Sequence, residues 1–194
     1  MTWNARRDPQ TQPLRWNSHP MKLTILLRSD IWFTLSFKND PRVLKHAVST
    51  HDQLVDDMLA QSPDGDFITQ CMFQPLPTIF AEHGTARGGN VLGIDRLTGN
   101  AVLWLATLAV KGADQAEFGR AKISAWVESV SDFAKSVGSD VEWQYLNYAD
   151  YSQDPLGSYG RDNAELIRAA AEKYDPSGVF QSRVPGGFKI SNSP

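Results

Sequence analysis

The chain has 194 residues, 41% hydrophobic and 21% charged, with a formal net charge of −3, the profile of a globular protein with one sizeable core or two small ones. No Lys/Arg cluster offers a nucleic-acid footprint, and the longest apolar run, Ala101 to Val110, is too short to span a bilayer. Neither a nucleic-acid nor a membrane partner is therefore expected.

Residues 1–20 carry Trp3, Trp16 and the prolines Pro9, Pro13 and Pro20 without a sustained period, which describes an irregular arm. The basic start has no apolar run after it, so no signal peptide is visible and the cytoplasm is the default compartment. Leu23–Leu27 and Ile31–Phe37 read as two strands around a hairpin turn at Arg28-Ser29-Asp30. Asp40 then caps a helix that begins at Pro41. Its apolar spine is Val43, Leu44, Ala47, Val48, Leu54, Val55, Met58 and Leu59, with His51 on the same stripe. His46 and His51 are not at a metal-ligand spacing and have no evident third ligand, so both are expected to pack at the helix edge and no metal is expected.

Pro63-Asp64-Gly65 is a turn, and Asp66–Gln74 alternates as a strand that Pro75 and Pro77 end. Cys71, the one cysteine, sits on its apolar side as a small buried hydrophobe rather than a nucleophile. Gln70, Met72 and Gln74 share the other side. That side is either a solvated sheet face, the ordinary case, or the wall of a pocket. Arg87-Gly88-Gly89-Asn90-Val91-Leu92-Gly93 lacks the helix and the Gly-Lys-Ser/Thr of a phosphate loop, and reads as a turn feeding a strand. Ala101–Val110 follows as a fully buried strand. The short turns between strands call for antiparallel pairing.

Asp114–Val137 has helical spacing in Phe118, Ala121, Ala125, Trp126, Val130, Phe133, Ala134 and Val137, and Gly138 closes it. It is expected to lie over one face of the sheet. Trp143 to Asp150 (W-Q-Y-L-N-Y-A-D) then reads as a strand with Val141, Trp143, Tyr145 and Asn147 on one side and Gln144, Leu146 and Tyr148 on the other. An asparagine between two tyrosines sets an amide beside phenols, a combination that can hold a flat polar ring, although packing at a sheet edge is the commoner use of such residues. A turn-rich loop from Ser152 to Gly160 leads to a last helix, Asn163–Tyr174, capped by Asp162 and stopped at Asp175-Pro176. The fold class is therefore α+β: an antiparallel sheet covered on one face by helices, with a helix-containing C-terminal segment.

The run Y-L-N-Y-A-D-Y-S-Q-D-P-L-G-S-Y-G at 145–160, then K-Y-D-P-S-G-V-F-Q and V-P-G-G-F-K, resembles the C-terminal end of the fungal FAD-linked oxidases related to berberine bridge enzyme. The likeness extends more loosely back to Trp32. It implies a partial substrate domain over 21–140 and, over 141–194, a segment that returns to an FAD domain. It implies FAD as cofactor, held in the family by a first half with covalent links to His and often Cys. It also implies a small-molecule substrate, an alcohol, amine or sugar-like C–H, oxidised by hydride transfer to the flavin.

Matched to the family's Y-x-N motif, Tyr145 stands where a tyrosine acts as, or beside, the base, and Asn147 where an asparagine meets the flavin ring. Tyr148 and Asn90 are the further cofactor-side candidates; Gln153 and Tyr159 carry no assignable role beyond turn packing. The chain contains no G-x-G-H-type FAD loop and no flavin-linking histidine motif. The isolated chain is thus expected to be inactive, with an FAD-domain chain or self-association as possible company. The alternative is a non-catalytic relative persisting as a folded fragment or interaction partner.

Overall fold

The structure is a computed structural model and describes residues 28–190. The expected arm at 1–20 and the strand at Leu23–Leu27 lie outside the described residues. Four strands, β1 (Arg28–Lys38), β2 (Ile68–Leu76), β3 (Ala101–Lys111) and β4 (Asp140–Val141), form an antiparallel sheet in the order β2-β3-β1-β4. The helices are α1 (Pro41–Gln61), α2 (Ile79–Thr85), α3 (Ala113–Ser136), α4 (Pro155–Ser158), α5 (Arg161–Tyr174) and α6 (Val179–Ser182). The α+β reading holds.

Alternation along the strands sorts their side chains into two layers. Ile31, Phe33 and Phe37 of β1 and Val102, Trp104, Ala106, Leu108 and Val110 of β3 point to one face. There they meet Val43, Ala47, Leu54 and Met58 of α1 and Ile123, Trp126, Val127 and Val130 of α3. Trp104 is fully buried and meets Trp126 edge-on at 4.9 Å. Burying each indole contributes about 2–3 kcal/mol. The opposite face carries a second cluster, in which Leu76, Ala101 and Leu103 pack with Trp143, Leu156, Tyr159, Ala164 and Ile190. β3 lies between both clusters, which is why its sequence is apolar without alternation.

Five expectations need correction. Arg28, Ser29 and Asp30 are no turn: they open β1, because β3 runs on to Lys111 and gives them ladder partners. Arg28 is held there by the Asp66 carboxylate, which Lys111 also meets. Residues 87–93 do not feed a strand. A 3-10 turn, Ile94–Arg96, follows them, and Leu92, Ile94 and Leu97 anchor this stretch to the second cluster. On α3 the buried stripe is Gly119, Ile123, Trp126, Val127, Val130 and Ala134, and Ala121 and Ala125 face out. Gly119 belongs to it by close approach, since a Cβ there would stand 2.6 Å from Leu108 Cδ2. The expected strand from 141 to 148 pairs with β1 only at Asp140 and Val141, then leaves the sheet and turns in a 3-10 step at Leu146–Tyr148.

Asp40 caps α1 as expected, accepting from Arg42 N at 2.9 Å, with Pro41 at the first helical position. β2 is an edge strand, which is what permits Pro75 inside it. The last helix starts at Arg161, with Gly160 rather than Asp162 at its cap.

Candidate functional site

The early departure of residues 143–148 from the sheet makes the site. Trp143 is buried and stacks on Tyr145 at 5.9 Å, as alternation expects. Asn147 Nδ2 donates to Tyr145 Oη at 2.7 Å, so these two candidates do meet. With its oxygen already accepting, the Tyr145 phenol has its own O–H free for another partner. Tyr145 is half-buried and Asn147 exposed. Neither is sealed in the core.

Tyr148, expected on the far side, joins them. The 3-10 step swings it so that its ring meets Tyr145 edge-on at 5.0 Å and Trp32 at 5.8 Å. Its hydroxyl accepts from Gln74 Nε2 at 3.2 Å. Tyr148 therefore reaches from β1 to β2 across the sheet face opposite α1 and α3. That face is built of Trp32, Thr34 and Ser36, of Leu103, Leu105 and Thr107, and of Gln70, Met72 and Gln74, by the register of the three strands. Thr34, Leu105 and Thr107 are buried, whereas Trp32 is 41% exposed and Gln70 is exposed. Gln74 thus borders Tyr148, and Gln70 stands farther along the same edge strand. Trp32 was not legible as a site residue, because only the fold brings it under Tyr148.

Asn90 is elsewhere in chemistry as well as in place. Its Oδ1 accepts from Leu92 N at 2.9 Å, a local turn bond that gives it no link to the tyrosine cluster. Tyr159 is a packing residue: it is 2% exposed, its hydroxyl accepts from Leu146 N at 3.3 Å, and burial pushes its phenol above the ordinary value. It supports the turn from beneath. Cys71 Sγ accepts from Trp104 Nε1 at 3.3 Å, and burial raises its thiol as well, in keeping with an inert core cysteine. His46 stacks on Phe133 and His51 on Trp126. Among the described residues no group of three or more His, Cys, Asp or Glu is arranged to hold a metal ion.

A flavin would find part of what it needs here. Aromatic faces at Tyr145, Tyr148 and Trp32 and the amide of Asn147 suit the edge of a flat polar ring. The acidic, phosphate-bearing half has no cradle among the described residues: Gly88 and Gly89 adopt positive φ in a turn that no helix N-terminus follows. A cleft of about 630 Å³ between α2 and Asp95–Thr98 lies apart from the tyrosines and is lined by Thr78, Glu82 and Thr85 among others.

No family model matches the chain, and no solved structure matches it. Curated relatives do. It is 40% identical over 164 residues to the FAD-dependent monooxygenase drtC of Aspergillus calidoustus, covering 84% of this chain and 31% of that protein. It is 35% identical over 162 residues to the FAD-dependent monooxygenase sdcF of Emericella nidulans, covering 82% and 33%. With the FAD-dependent monooxygenase tpcD of Cochliobolus heterostrophus the identity is 31% over 160 residues, covering 81% and 31%. The chain thus spans about a third of the length of these fungal relatives, and its homology supports an FAD-linked oxidoreductase family.

Proposed function

We propose that the chain forms the substrate-side wall and ring-facing edge of an FAD-dependent oxidoreductase of the berberine bridge enzyme-like kind, with the FAD-holding part in the two-thirds of the relatives that it does not cover. The observation that carries this reading is the Tyr145–Asn147 hydrogen bond beside the sheet face that carries Trp32, Gln70 and Gln74. FAD, when bound, supplies the hydride acceptor. The chain's own residues then have separable tasks. Trp32, Met72 and Tyr148 offer apolar and aromatic surface to a flat substrate, and Gln70 offers an amide to its oxygen atoms. Tyr145 Oη, once ionised, takes the proton of the substrate hydroxyl or amine as the adjacent C–H bond gives up its hydride. Asn147 fixes the direction of that oxygen.

In a flavin-loaded protein carrying this segment, Tyr145→Phe is expected to lower kcat by about 100-fold or more while the flavin spectrum stays as it was. Unchanged turnover removes Tyr145 from the chemistry. The names of the relatives specify an oxygen-inserting reaction, so product formed under labelled dioxygen is the second measurement: label in the product replaces hydride oxidation with monooxygenation. For the chain alone we expect no activity and weak or no quenching of added FAD fluorescence, since its described residues offer only the ring edge.

A further inference from the structure

β1 has a problem that β4 leaves unsolved. β4 pairs with Ser36 and Phe37 only, and the next outward-facing backbone groups along that edge are the N–H and C=O of Thr34, a residue with no exposed surface. Buried backbone groups need partners. Here one side chain supplies both: Gln153 Oε1 accepts from Thr34 N at 3.0 Å, and Gln153 Nε2 donates to Thr34 O at 2.6 Å. The same Oε1 accepts from Asp150 N at 3.0 Å.

We infer that Gln153 is a positioning residue for the Tyr145–Tyr148 cluster: its amide stands in for a strand on the outer edge of β1 and thereby holds the 146–148 turn over the sheet face opposite α1 and α3. Ordinary turn packing would spend the amide on its own loop. Gln153 accepts there from Asp150 N and bonds a strand 119 residues away in sequence as well. The loop has a second tie, since Asp150 is buried, pairs with Arg120 of α3 at 3.0 Å and accepts from Ser152 N and Oγ. That tie fixes the loop to a helix; among the described residues, Gln153 makes the loop's side-chain hydrogen bonds to the strand that carries Trp32. The residue-by-residue consequence is that the Trp32–Tyr148 contact depends on the donor–acceptor pattern at position 153. This rests on the proposed function solely for what the tyrosines do. Their placement stands on geometry.

A carboxyl group reproduces the pattern of an amide only when protonated, which gives the test. Gln153→Glu in this chain is followed by NMR at pH about 4 and about 8, either side of an ordinary glutamate value of about 4.3. Asp150 on the same loop and Arg120 on α3 are the charged neighbours, so the unsubstituted chain at each pH is the reference. Expected at high pH are a Thr34 amide at least ten-fold less protected and loss of Trp32–Tyr148 ring cross-peaks; at low pH both return. Contacts that persist at both pH values, or are missing at both while α1 and α3 stay protected, overturn the inference. Gln153→Met, equal in length and without hydrogen bonds, is expected to lose the contacts at both pH values with the helices intact, and keeping them also overturns it. If the contacts behave as expected and FAD titration of a complete flavoprotein fails, the proposed function falls and this inference stands.

Discussion

Tyr145 and Asn147 stand two residues apart and bond each other, a relation their spacing announced. The motif sets Tyr148 on the cofactor side while strand alternation sets it across from Tyr145; a single 3-10 step rotates it into the cluster. Asn147 is exposed, so Asn147→Ala is expected to change unfolding free energy by less than about 0.5 kcal/mol. In a flavin-loaded protein the same change should nonetheless shift the flavin spectrum, and an unaltered spectrum argues against contact. Gly93 is the opposite case. Its φ is +71°, and a Cβ would run into the backbone carbonyl of Tyr159, the residue that holds Leu146 N. Gly93→Ala is expected to cost more than about 1 kcal/mol, read from the urea midpoint. A glycine in a turn is ordinary in a sequence. That this one faces Tyr159 is tertiary information.

At the scale of elements, α1 was legible from cap to spine, because Asp40, Pro41 and the three- and four-residue apolar steps are local signals. The cap reaches further than local signals tell. Asp40 also accepts from Ser139 Oγ at 2.6 Å, and the bonds from Arg42 and Ser139 hold its carboxyl far below the usual carboxylate range. Because the folded value is depressed, this stability is present above about pH 4 and is lost as pH falls through the folded value. Asp40→Asn should flatten the acid limb of the unfolding profile. His51 titrates nearer neutrality. Its Nε2 lies 3.1 Å from Thr69 Oγ1, whose hydrogen goes to Thr107 O at 2.8 Å, so His51 is the donor of that bond. Burial lowers its value, opposed by Asp52. The folded state therefore prefers the neutral ring. Its contribution is full above about pH 6.5 and is lost as pH drops from there through the folded value. Urea midpoints between pH about 7.5 and about 5 should fall for the native chain and fall less for His51→Gln; equal slopes remove His51 as the cause.

Over the whole molecule, apolar surface is left open on the C-terminal part: Leu166 is 60% exposed, Phe180 65%, and Tyr174 and Val184 are also exposed. Part of the last helix does find cover. Ile167 and Ala171 pack on the second cluster while Leu166 and Ala170 face out. Open apolar surface favours association, so the isolated chain should scatter light increasingly with concentration, and a Leu166→Gln, Phe180→Ser double variant should scatter less. By itself the sequence determined the three long helices, the buried β3, the α+β class and the Tyr145–Asn147 pair, since periodicity, caps and neighbouring residues are short-range properties of a chain. Only the tertiary structure decided that Arg28 opens a strand, that Trp32 lies beneath Tyr148, that Asn90 is spent on a turn and that Gln153 completes a sheet edge. Each of those depends on which distant backbone or side chain supplies the missing partner, and no local pattern carries that choice.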